Sequence, residues 1–485
     1  CDPVTGCQIG EPPTVDDGID CTLEICNEET DSISSVPFDN LCIPEGALCV
    51  SATCDVNAGA CVVESVPNCC GNGVVEPGEA CDDGNAEIGD GCLPDVCLIE
   101  EGWTCAGSPS VCQSCGNGIV EGTEACDAGA NNGCFTCNKN CTAEAVVYDG
   151  SVAVKNQGQM TALADYTAIL GNLTLTTISD GEISLPKLEC VTGELRVQFS
   201  AGITHLDGLA TLQKVQGDLS ITGNNNLKNV DGLAGINRID GNLKIVGNKA
   251  LLNLDGLQGI QGELGGDLRI ENQTALTSLD GLKGVTVVKG ALYILNNDSL
   301  LTLSGLEALE SIEGLIQVSK NATLKDVLAL KGLDQANHHL QIEENDQLTS
   351  LDGLSNLYGT VGGNLWIRDN PLLSDMDGLD GLSEVSGQVV ISENGLITDL
   401  SGLAELTQVK SGLTISDNPA LATLDGLENL TILSGILSIK GNPQLTQIDG
   451  LKGLVGTYDG KIALVDNDLL IDLSGLAGIV TVDGV

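Results

Sequence analysis

Five residues within a dozen positions, Glu79, Asp82, Asp83, Asn85 and Asp90, offer hard oxygen ligands of the kind Ca2+ prefers. Their order is not that of an EF-hand loop, and a plainer reading stands beside the metal: Asp-Gly and Gly-Asn turns use these residues to bend a chain between crosslinks. Calcium is the one cofactor the residues point to. Catalysis has no comparable signal. G-x-S-x-G, H-E-x-x-H and phosphate-loop motifs are absent, and none of His205, His338 and His339 has a nucleophile motif beside it, so no enzyme is expected.

A second polar pattern runs through the rest of the chain. Seven positions after the glycine that opens each repeated unit stands Asn224, Asn248, Asn297, Asn321, Asn345, Asn370, Asn394, Asn418, Asn442 or Asn467, with Gln157, Gln273 and Ser200 in the same place elsewhere. At a corner where a strand ends, an inward asparagine satisfies leftover backbone groups and bonds to its neighbours above and below, which predicts a structural ladder. Asn297-Asp298-Ser299 and Asn321-Ala322-Thr323 are glycosylation sequons, but a laddered asparagine is inaccessible.

The elements that carry these asparagines follow from the unit itself, G-x-L-x-I-x-x-N-x-x-L-x-x-L-D-G-L-x-x-L-x-x-V-x, which returns every 24 or 25 residues. Gly193, Gly217, Gly241, Gly266, Gly290, Gly314, His338, Gly363, Gly387, Ser411, Gly435, Gly460 and Gly484 open its copies, after shorter units at Gly150 and Gly171. The G-x-L-x-I stretch alternates like a half-buried strand, and stacking the units makes these strands one parallel sheet. Fixed apolar offsets mean that each unit buries its apolar side on the next. The expected fold is therefore mainly β, a parallel β-solenoid of about 14 coils, roughly 65 Å long at about 4.8 Å per strand. At the L-D-G-L corner, Asp207, Asp231, Asp255, Asp280, Asp352, Asp377, Asp425 and Asp449 alternate with Ser304, Ser401 and Ser474, which predicts capping of a short turn or 3-10 segment. A calcium column along these aspartates is the alternative, and free exchange with serine speaks against it. One corner departs, reading Val327-Leu328-Ala329-Leu330 ahead of His338-His339.

The remaining third is different. Twenty of the 21 cysteines precede residue 142. Such density with few large apolar residues indicates a disulfide scaffold of low secondary structure made in an oxidising compartment, hence a secreted or cell-surface protein. Scarce C-x2-C half-sites and three histidines make zinc a weak competitor. The divisions expected are a cysteine-rich module over 1–68, a cysteine-rich repeat over 69–113, a shorter one over 114–145 and the solenoid over 146–485. Cys190 is the odd cysteine; between Leu188 and Val191 its side chain is expected to face out, as an inert residue or a free or intermolecular thiol.

The net charge of -48, with Lys139 the only basic residue before position 145, excludes nucleic acid as a partner. No run reaches the roughly 20 apolar residues of a membrane span. The start on Cys1 has two readings, a lipidated first residue or the inside of a longer protein, since Cys1–Cys7 resembles the internal stretch Cys54–Cys61.

Two resemblances sharpen this. Cys70-Gly71-Asn72-Gly73-Val74-Val75-Glu76-Pro77-Gly78-Glu79-Ala80-Cys81-Asp82-Asp83-Gly84-Asn85, matched by Cys115-Gly116-Asn117-Gly118-Ile119-Val120-Glu121-Gly122-Thr123-Glu124-Ala125-Cys126-Asp127, resembles the cysteine-rich repeats of myxobacterial surface proteins, which implies an extracellular spacer. The 24-residue unit resembles leucine-rich repeats and, more closely, the receptor L domain, a right-handed parallel β-solenoid. That resemblance implies the fold and leaves the partner open.

The function expected is a non-enzymatic extracellular structural or adhesive surface protein, such as the subunit of a cell-surface fibre or matrix stacked head to tail on its own copies or on other surface proteins. The alternative is a recognition module that binds a protein or glycan on the sheet face. Aromatics and Arg among the outward strand residues discriminate the two, and Tyr293 and Trp366 are the only aromatics in a mixed column.

Overall fold

The computed structural model describes residues 22–27, 32–37, 50–65 except 59, 70–115 except 86, 95, 101 and 102, single residues 127, 134, 137 and 141, and 145–483. The expectations placed on Cys1, Glu124, Lys139 and Gly484 lie outside them. The chain divides into two compact units, Cys1–Asn132 with Lys139–Glu144, and Gly133–Asn138 with Ala145–Val485.

The second unit is a parallel β-solenoid. Fourteen strands, from Val152–Val154, Leu173–Thr176 and Leu195–Gln198 to Gly435–Lys440 and Gly460–Val465, form one continuous sheet in coil order. Pairing is in register, Leu219 beside Leu243 beside Leu268, so every inward leucine falls on the next. Within one coil, Leu219, Ile221, Leu227, Val230, Leu233, Ile236 and Ile239 are all buried, and the column runs without interruption through the stack. Each such side chain contributes about 1.5–3 kcal/mol by leaving water.

The L-D-G-L corner forms a 3-10 turn, as at Asp231–Leu233, Asp352–Leu354 and Ser401–Leu403. The expected capping role moves to another residue. Asp231 is the first residue of its turn, the residue before it has no side-chain cap bond, and the Asp231 N–H is taken by Asn229 Oδ1 at 3.3 Å. Ser350 Oγ and Asp399 Oδ1 do the same two residues ahead of Asp352 and Ser401, at 2.9 and 3.0 Å. The glycine of the corner is required by space: a Cβ on Gly232 would stand 1.9 Å from the Leu206 carbonyl oxygen of the preceding coil.

A second sheet, which the period-2 stretch alone does not reveal, lies where each unit ends. Its strands join in runs of five (Val147–Asp149 to Arg238–Ile239), three (Gly262–Leu264 to Ser311–Ile312), four (Tyr358–Val361 to Ile432–Leu433) and two (Gly456–Tyr458 and Ile479–Val482). The first coil substitutes the helix Gln157–Leu163, whose N-cap Asn156 accepts from Gln159 N–H at 3.0 Å and which buries Met160 and Leu163. Gln157 therefore starts a helix instead of joining the asparagine column, and its Nε2 donates to Glu182 O.

Cys190 corrects the sequence reading. It is fully buried and bonded to Cys134, so the cysteines of the first third do not pair only among themselves. The expected outward face is covered by Cys134, which packs with Cys190, Ala168 and Val147. Among the described residues no cysteine is free.

The first unit is built from antiparallel strand pairs, Thr22–Asn27 with Ser32–Pro37, Val50–Asp55 with Ala60–Ser65, Cys92–Leu93 with Leu98–Ile99, and Thr104–Ala106 with Val111–Gln113. Disulfides Cys70–Cys97, Cys81–Cys92, Cys105–Cys112 and Cys115–Cys141 hold it, standing in for an apolar core.

Candidate functional site

The asparagine column is satisfied internally. Asn297 Nδ2 donates to Ile270 O at 3.1 Å, while Asn297 N–H donates to Asn321 Oδ1 at 3.1 Å; the scheme repeats from Asn224 to Asn467, with Gln273 in line and Ser200 at the head. Asn224, Asn248, Asn297, Asn321, Asn345, Asn370, Asn394, Asn418 and Asn442 have no exposed surface, which leaves Asn297 and Asn321 closed to glycosylation in the folded chain. Just before the column each coil turns through the left-handed region: Asn272, Asn296, Lys320, Glu344, Asp369, Glu393, Asp417 and Asp466 have φ between 53° and 59°, and Gly223, Gly247 and Gly441 fill the same place. A non-glycine residue there costs about 1–2 kcal/mol, which the buried bonds of the next residue offset.

A further ladder runs along the outer surface at the second position of the unit. Asn172, Asp218, Asn242, Asp267 and Asn364 each accept, through Oδ1, the main-chain N–H of the residue one coil on, and His339 does so through Nδ1 at 2.8 Å. His339 thus keeps a backbone role in the coil where His338-His339 breaks the pattern.

The outward strand positions between these ladders form one column, which carries Arg196 and Lys244 in its earlier coils and both of its aromatics within a run of five neighbouring strands. Arg269, Tyr293, Gln317, Gln341 and Trp366 stand side by side in register. Arg269 Cζ lies 3.9 Å from the centre of the Tyr293 ring and pairs with Glu271 at 2.7 Å. Arg368 Cζ lies 4.8 Å from the Trp366 ring and pairs with Glu343, whose side chain is only 4 % exposed. Gln317 Nε2 donates to the other oxygen of Glu343 at 3.4 Å. Salt bridges and cation-π contacts hold each arginine against its ring, about 14 Å apart across three strand spacings.

In the cysteine-rich repeat the five acidic and amide residues separate. Asp82 is fully buried and accepts four main-chain N–H groups, from Gly71 and Asn72 on one oxygen and Gly73 and Gly84 on the other, at 2.8–3.1 Å. Four amides occupy the lone pairs a metal would need. Glu79 Oε2 accepts from Glu76 N–H at 2.8 Å; one oxygen each of Glu76, Glu79 and Asp82 lie within 4.8 Å of one another. Asp83, Asn85 and Asp90 form the other group: Asn85 Nδ2 donates to Asp90 Oδ2 at 2.9 Å and Asn85 N–H to Asp83 Oδ1 at 3.3 Å. Asp83 Oδ2 and Asp90 Oδ1 are shut off from solvent with no hydrogen-bond partner. Burial pushes the Asp83 carboxyl above the ordinary carboxylate range, and the charges of Asp90 and Asp82 add to the rise. The donor chemistry at Asp83 and Asp90 fits a hard cation better than that at Asp82.

No family model matches this chain, and no curated protein does. Among solved structures it is similar to an internalin, InlF of Listeria monocytogenes, at 16 % identity over 66 % of this chain and 80 % of that one, with a TM-score of 0.30.

Proposed function

We propose that the protein is a non-enzymatic extracellular surface module of adhesive or structural kind, and that it holds a protein partner on the outer face of the long sheet between Arg269 and Arg368. The observation that carries this reading is the pairing of both outward aromatics of that column with arginines, Tyr293 with Arg269 on the adjacent strand and Trp366 with Arg368 two residues along its own strand. Aromatic and arginine side chains supply most of the binding energy in protein interfaces, and here ion pairs preorganise them. A glycan is the lesser reading, because a guanidinium already lies over each ring that a sugar would stack on. The disulfides fit an oxidising, extracellular setting. Among the described residues no helix is long and apolar enough to cross a membrane.

The test is crosslinking capture on intact cells and matrix, with wild type, Trp366→Ala and the outward control Thr414→Ala. Loss of the captured protein in Trp366→Ala alone supports the reading; equal capture by all three sinks it. Sedimentation of the same material, with and without Ca2+, tests whether copies also stack head to tail, which a single monomeric species would rule out.

A further inference from the structure

The 25-residue units are not scattered. They open at Gly241, His338 and Gly435, so every fourth coil is one residue longer, and the pattern of coil lengths repeats every 97 residues. In each long unit the extra residue appears at one place, as a break in strand register at Gly262/Glu263, Gly359/Thr360 and Gly456/Thr457. The three glycines have φ of 76°, 77° and 88°, and a Cβ on any of them would meet nothing within 4 Å. Backbone conformation, not space, selects glycine there.

The first and third bulges lie where the second sheet is interrupted, and the second lies one coil after an interruption. Arg238–Ile239 does not pair as a strand with Gly262–Leu264, nor Ile432–Leu433 with Gly456–Tyr458; ahead of Tyr358–Val361 the ladder is reduced to the bridge Ala336 to Val361, with Tyr358 N–H to Asp334 O at 3.1 Å and Gly362 N–H to Ala336 O at 2.9 Å, and the strand run itself ends one coil earlier, at Ser311–Ile312. At the first interruption the coils keep two long bonds, Gln261 N–H to Asn237 O at 3.5 Å and Gly265 N–H to Ile239 O at 3.3 Å. Grooves open at the first and third, at equivalent positions of the repeat: one of 570 Å³ lined by Asn237, Arg238, Asp240, Gln261 and Glu263, the other of 250 Å³ beside Ile432, Val455 and Tyr458. The long sheet passes all three places unbroken.

We infer that the solenoid is a tandem of four-coil blocks, and that it yields at the block boundaries by opening the second face while the long sheet acts as the continuous spine. A continuous ladder resists extension on one side and interrupted ladders allow it on the other, so the rod bends toward the long sheet at intervals of about 19 Å, four strand spacings. This gives a long rod compliance without breaking its core column.

Hydrogen exchange of the full chain, read by mass spectrometry, tests it. Peptides covering 260–266, 357–363 and 454–460 should exchange at least fivefold faster than those covering the same stretch of coils inside a block, 285–289, 383–387 and 408–411. Deleting Gly359 should slow exchange over 357–363 to the within-block rate and leave the other two boundaries unchanged. Uniform exchange along the second face, or maxima without the four-coil period, overturns the inference. Should the deletion variant fail to fold, the wild-type profile decides the matter alone.

Discussion

Asn321 gives both its main-chain N–H and a side-chain N–H to the same oxygen, Oδ1 of Asn345 one coil on, at 3.1 and 3.2 Å. Its Nδ2 also reaches back to Ile294 O at 2.9 Å, so one side chain ties three coils together.

Asn321→Ala should therefore cost about 2–4 kcal/mol, because the buried Ile294 carbonyl loses its side-chain donor and the Asn297 N–H loses its acceptor. Asn321→Gln should cost less, since Gln273 fills the same column with bonds to Ile245 O and from Asn248 N–H. Urea unfolding of the two variants checks the order, and equal losses would count against the ladder as the source.

Two glycines in one coil should behave oppositely. A Cβ on Gly353 would sit 1.9 Å from Val327 O, so Gly353→Ala must push adjacent coils apart and should cost more than 3 kcal/mol or prevent folding. Gly359→Ala meets open space and carries only the backbone penalty at φ 77°, about 1 kcal/mol. Thermal denaturation distinguishes them; similar losses would refute the assignment of one to contact and the other to conformation.

At the corner, Asn229→Ala should destabilise by about 1 kcal/mol and Asp231→Ala by less, because the bond that holds the start of the turn comes from Asn229. A larger loss from Asp231→Ala would restore the aspartate as the cap.

The Asp83 carboxyl, raised above its ordinary value, binds its proton more tightly in the folded repeat than in the unfolded chain. The ionised form therefore opposes folding in full above the folded-state pKa, and this cost disappears as pH falls through that value. Asp83→Asn should stabilise the repeat at neutral pH without metal and flatten its acid profile. Calcium should raise the melting temperature of the wild type and not of the variant. A variant less stable than wild type in chelator would overturn this.

Cys190→Ala removes a crosslink spanning 56 residues, for which chain entropy predicts a loss of about 4 kcal/mol at the first coils. Limited proteolysis near residue 190 should accelerate in the variant and not near Gly387, and unchanged cleavage would show the bridge to be idle.

The sequence by itself determined the coil and its stacking, because a 24-residue period places the same apolar and polar types at the same height in every turn. That is enough to predict the long sheet over Leu219–Thr222 and its equivalents, the 3-10 corner, and an inward asparagine at each strand end. Properties that depend on what lies across space needed the tertiary structure. Cys190 appears exposed in its own unit's alternation and is buried in a bond to Cys134, 56 residues earlier. Arg269 and Tyr293 are 24 positions apart, and only the coil register stacks one on the other. Asp82 and Asp83 are adjacent acids in sequence, yet one is saturated by four amides and the other keeps an unpartnered oxygen, because the turns aim four amide donors at Asp82 and one, from Asn85, at Asp83. A repeat fixes local geometry by repeating it; partners from different turns are decided by how the turns are stacked.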